Sequence, residues 1–168
     1  MVVILEHNYP TTVVDDIVTK HLRVQLSDGE LYDNAVQCVR NAIDIAEDYC
    51  NRVITPSTVS MAAGVEDGVA VMPTAPLREV QSVEVGGVAV DYHLVSNDKY
   101  AYITDLPAGV TSIDVVAEVG YADGELPGGV YAAVAIIASS LFEDGADGEL
   151  SPRAKSLLNP YRISPYGL

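Results

Sequence analysis

Between residues 31 and 51 the polar side chains Asp33, Gln37, Arg40, Asp44, Asp48 and Asn51 are separated by four, three, four, four and three positions. At 3.6 residues per turn this spacing places all six on one helical face, and it fits no strand, where one face takes every second residue. The opposite face carries Leu31, Ala35, Val39, Ala42, Ala46 and Tyr49. A helix over 28–51, about 35 Å long, with one solvated and one buried side therefore anchors any fold open to this chain. Ser27 and Glu30 stand three positions apart at its start, the spacing of a capping box.

Upstream, Val13, Val14, Ile17, Val18 and Leu22 suit a short amphipathic helix over 13–21, with Thr12 and Asp15 as a weaker capping pair. Downstream, Pro56 closes the helical region and the texture becomes short Val-rich runs punctuated by Gly, Pro and Asp. These predict strands over 58–63, 69–72, 80–85, 88–90, 92–96, 100–104 and 112–119. Gly86-Gly87 is a two-residue hairpin signal, and 73–76, bounded by prolines, reads as an extended connector. Residues 53–120 thus form a small antiparallel β lobe.

Pro127 can open a helix. Residues 130–142 are apolar all round, with Ala132, Ala133, Ala135 and Ala138 permitting close approach, so this stretch is the expected central buried helix. The acidic run 143–149 is a turn, Ser151-Pro152 starts a last short helix carrying Leu157 and Leu158, and Pro160 stops it. Residues 161–168 have no expected regular structure. The expected fold class is α+β: a small helical bundle (28–51 and 128–142) with an inserted antiparallel β lobe and an extended C-terminal tail. The expectation is one domain, 1–168, with sub-regions 12–52 helical, 53–120 β, 121–151 helical and 152–168 as tail.

With hydrophobic residues at 49% but one Phe and no Trp, the core must be filled by Val, Ile, Leu, Ala and Tyr. The formal charge of -15, from 24 acids and 9 bases, argues against a surface that grips nucleic acid through its phosphates. All 24 acids lie in residues 1–150, while the last 18 residues carry only Arg153, Lys155 and Arg162 as ionisable side chains of either sign other than tyrosine. That asymmetry is open to two readings, chance in a short tail or a basic tail that docks on a neighbour. Cys38 and Cys50, about 18 Å apart along one helix, cannot bridge each other and fit a reducing compartment. The opening residues lack the basic region of a signal peptide, and the longest apolar run is shorter than a membrane span.

Catalytic signatures are missing. His7, His21 and His93 stand apart from any nucleophile motif. The glycines at 124–129 lead into a helix without the Lys-Ser/Thr ending of a phosphate loop, and Pro127 removes a donor. Asp144, Asp147 and Glu149 lack the calcium-loop spacing. No catalytic residue, cofactor or metal is expected.

The order of elements, together with several short stretches, resembles the head-tail connector (adaptor) proteins of tailed double-stranded DNA phages, in the branch with a β-rich insertion. The stretches are Lys20-His21-Leu22-Arg23 in the opening helix, residues 42–53 at the end of the long helix, Pro76-Leu77 leading to Ser82-Val83, and Asp91-Tyr92-His93-Leu94. Residues 116–121 followed by Leu126-Pro127, and Leu157-Leu158-Asn159-Pro160-Tyr161-Arg162, complete the set. Leu141-Phe142-Glu143-Asp144 departs from the family's usual aromatic-Tyr-Glu-Asn run.

The resemblance implies a structural subunit of the phage neck, in the virion. Such subunits form a ring, commonly of twelve, that joins the portal to the stopper or tail and gives DNA a channel without specific binding. It also implies that the C-terminal segment docks on the portal, through Arg153, Lys155, Leu157, Leu158, Tyr161, Arg162, Tyr166 and Leu168. The alternatives are a tail-completion or tail-terminator subunit, or a small ligand-binding module using the β lobe.

Overall fold

The computed structural model describes residues 2–72, 76–97, 100–145 and 149–163. They divide into a β unit (2–8 with 52–121) and a helical unit (9–51 with 122–163). The α+β class expected from sequence is the one observed.

The β unit holds, among the described residues, β1 (Val2–His7), β2 (Ser57–Glu66), β3 (Val69–Met72), β4 (Leu77–Val85), β5 (Val88–Ala89), β6 (His93–Ser96), β7 (Ala101–Thr104) and β8 (Ser112–Val119). The strands run in the order β5-β4-β8-β2-β3-β7-β6, all pairings antiparallel, with β1 added to β2. All seven expected strands are present. β1 was not anticipated: Val2, Val3, Ile4 and Leu5 run together without alternation, and a short apolar run has no period to mark it as strand. Of the proline-bounded connector, only Pro76 lies within the described residues.

β2 is the longest strand and the organiser of this unit. Ser57, Val59, Met61 and Ala63 alternate inward along it, and across the ladder Val59 faces Ala117, Met61 faces Val115 and Ala63 faces Ile113. Val59, Val115, Ala117 and Val119 are fully buried, with Met72, Ile103 and Ile113 in the same cluster. Each fully buried Val, Ile or Met contributes roughly 1.5–3 kcal/mol. Two tight turns close the hairpins: Asp67-Gly68 (φ 50° and 78°) between β2 and β3, and Gly86-Gly87 (φ 57° and 81°) between β4 and β5. Positive φ at both central positions matches the right-handed strand twist.

In the helical unit α1 spans Thr11–Asp16 and continues as a π turn over Ile17–His21, where the Leu22 N–H donates to the Ile17 carbonyl at 3.0 Å. The expected Thr12–Asp15 cap is not made. Pro10 occupies the capping position, and Thr12 instead donates its hydroxyl (2.9 Å) and its N–H (3.3 Å) to Asp123. Arg23, at φ 58°, ends this helix.

The expected capping box also moves. Gln25 and Asp28 form it around a 3-10 turn, the Gln25 N–H donating to Asp28 Oδ2 at 2.7 Å, and Gly29 at φ 58° leads into α2 (Glu30–Cys50). α2 buries Ala35, Val39, Ala42 and Ala46 as expected, joined by Ile43, Glu47 and Cys50. Leu31 is 49% exposed and Tyr49 half-buried, so the buried stripe is displaced from the expected one at both ends. Asn51 in the left-handed region closes α2 by donating its N–H to the carbonyls of Glu47 and Asp48.

α3 (Gly128–Asp144) follows Pro127 and packs on α2. Val130, Ala133, Val134, Ala135, Ile137 and Ala138 are buried, while Tyr131, Ala132 and Ile136 are half-buried, so the helix is not wholly enclosed within the chain. α4 (Pro152–Leu158) packs on α3 and, more lightly, on α2.

Candidate docking site

The sequence singled out the end of the chain. Here Ser151 caps α4 by accepting the Ala154 N–H at 3.2 Å, and Pro152 fills the first helical turn, where its missing N–H costs nothing. A 3-10 turn over Asn159–Tyr161 follows. The short last helix expected after Ser151-Pro152 is the one observed, and the 3-10 turn continues it past Pro160, where it was expected to stop.

Much of it is fixed within the helical unit. Ala154 and Leu158 are fully buried and Ile163 is 1% exposed. The Ile163 N–H donates to the Cys50 carbonyl at 2.9 Å, the Tyr49 hydroxyl donates to Asn159 Oδ1 at 2.7 Å, and the Arg162 guanidinium lies 5.2 Å from the Tyr49 ring centroid. Gly129 leaves room for Tyr161: a Cβ there would lie 3.2 Å from the Tyr161 ring and hydroxyl.

The proposed docking residues consequently divide. Leu158 is a core residue of the helical unit and is unavailable to a partner, which corrects that expectation. Leu157 and Tyr161 are half-buried, and Arg153, Lys155 and Arg162 are exposed. Arg153 and Lys155 flank the buried Ala154–Leu158 stripe on opposite sides, since residues two apart do not share a helical face. Tyr166 and Leu168 lie outside the described residues.

Elsewhere, several described side chains that could carry chemistry are engaged in structural contacts. His7 Nε2 lies 2.6 Å from Thr55 Oγ1, but Thr55 is 1% exposed and no substrate could reach its hydroxyl. His21 packs edge-on to Tyr131 at 5.6 Å, and His93 is exposed on β6. Lys20 pairs with Asp16 at 2.8 Å, and that bond raises the pKa of its ammonium. Cys38 is half-buried and Cys50 buried, both as thiols, and burial pushes the Cys38 thiol up. Of the acidic turn, residues 146–148 lie outside the described residues.

The depressions among the described residues include these. One, ≈ 140 Å3, lies in the β unit and is lined by Glu6, Arg78 and Glu118 among others. The other, ≈ 240 Å3, lies in the helical unit beside Tyr9, Asp15, Tyr32 and Arg40. In it the Tyr9 hydroxyl donates to Asp44 at 2.9 Å and the Tyr32 hydroxyl to Asp15 at 2.9 Å. Arg40 stacks 5.4 Å from the Tyr9 ring centroid. Burial and the Asp44 carboxylate push the Tyr9 pKa to about 12. Each of these groups is held by one of the others.

What sequence reasoning missed is β1. Val2, Val3, Ile4 and Leu5 are 39, 45, 45 and 58% exposed, a continuous apolar strand at the surface. The uninterrupted apolar run was its only signal.

This combination of an antiparallel β unit with a unit built on one long helix and one small-residue helix is the fold of known components of virus-like particles. The chain superposes on a chain from the virion of a native gene transfer agent particle with a TM-score of 0.76, 20% identity, and coverage of 98% of this chain and 96% of that one. A chain from the neck of an empty gene transfer agent particle, computed with C6 symmetry, gives 0.75, 19%, 98% and 96%. One from the neck of the native particle, computed with C12 symmetry, gives 0.71, 16%, 96% and 96%. No family model matches the chain, and no curated protein does.

Proposed function

We propose that the chain is a structural subunit of the neck of a phage-like particle, acting as a repeating element of a ring that joins the portal to the stopper or tail and leaves a channel for DNA. The observation that carries this reading is the end-to-end likeness to chains of gene transfer agent necks, over 98% of this chain and 96% of that one. A likeness confined to one unit would not distinguish a shared module from a shared part.

Charge supports the channel. A chain with 24 acids and 9 bases, repeated around an axis, repels DNA phosphates at long range and so lets the duplex pass without adhering. Contacts to the portal are assigned to the exposed cations Arg153, Lys155 and Arg162, with Leu157 and Tyr161 at their base. Since α4 is built into the helical unit, it offers a preformed surface rather than a segment that folds on its partner. The reading assigns the chain no catalysis.

The test is electron microscopy of the full chain incubated with portal rings from the same particle. A second annular layer stacked on the portal is expected. Portal rings unchanged at saturating chain concentration would overturn the portal assignment.

A further inference from the structure

We draw no further inference here: the strongest candidate, the exposed apolar strand β1 at the surface of the β unit, carries nothing, because nothing in the structure shows what covers it.

Discussion

The Ile163 N–H donates to the carbonyl of Cys50 at 2.9 Å, fastening the residues after α4 to the last turn of α2. With Ala154 and Leu158 fully buried beside it, the C-terminal segment is part of the helical core. Removing everything after Ser151 should therefore unfold the helical unit instead of merely detaching a docking tail. Leu158→Ala, which deletes one fully buried side chain, should cost about 2–5 kcal/mol, measured by urea denaturation. A truncated chain with wild-type thermal stability would contradict this.

Gly120 stands where no other residue fits. It adopts φ 87°, and a Cβ on it would overlap the backbone carbonyl of Thr55. Its N–H donates to the Pro76 carbonyl at 2.8 Å, while the next residue, Tyr121, donates to Ile54 at 2.8 Å. Gly109 has nearly the same φ, 83°, with open space around it. Gly109→Ala should thus lose only the backbone strain, about 1–3 kcal/mol, whereas Gly120→Ala should lose clearly more in the same denaturation experiment. Equal losses would mean that the Thr55 carbonyl can move aside.

Tyr9 makes a pH prediction. Burial, its hydrogen bond to Asp44 and the charge of that carboxylate raise its pKa from 10.0 to about 12. A pKa raised in the folded state gives stability that is complete below the unfolded value and is lost as pH climbs through the folded one. The Tyr9 contribution should accordingly be intact below pH 10 and fade between about 10 and about 12. Ultraviolet titration of tyrosinate should lose its highest-pH step in Tyr9→Phe, and an unchanged curve would contradict the assignment. Tyr32, raised by its hydrogen bond to Asp15, and Tyr131, raised by burial, should remain as smaller upward shifts.

Arg153 and Lys155 are exposed and lie outside the core of the helical unit. Reversing both, Arg153→Glu with Lys155→Glu, should weaken binding to portal rings by at least about tenfold and leave the melting temperature within about 2 °C of wild type. Sedimentation of portal rings with bound chain reads the first, and calorimetry the second. Undiminished binding would remove α4 from the portal interface.

The helices and the seven later strands were legible because each has a period or a punctuating turn. The 4-3-4-4-3 spacing from Asp33 to Asn51 and the alternation through Ile113, Val115, Ala117 and Val119 both survive in the structure. Caps were less legible. Thr12 was drawn away by Asp123, more than a hundred residues later in the chain, and the capping box near α2 formed on Gln25 and Asp28 because Gly29 at φ 58° breaks the turn one step before the helix. β1 was invisible because its apolar run has no alternation and its partner lies some fifty residues downstream. The docking segment was legible in charge but not in burial: Leu157 and Leu158 look alike in sequence, and only packing on α3 separates the half-buried one from the core one.

Location tests the central claim most directly. Gold labelling of an epitope-tagged chain on intact particles, viewed by electron microscopy, should place the label in a single cluster at the junction between head and tail. Label distributed over the head shell or along the tail, or particles carrying none, would contradict the neck assignment.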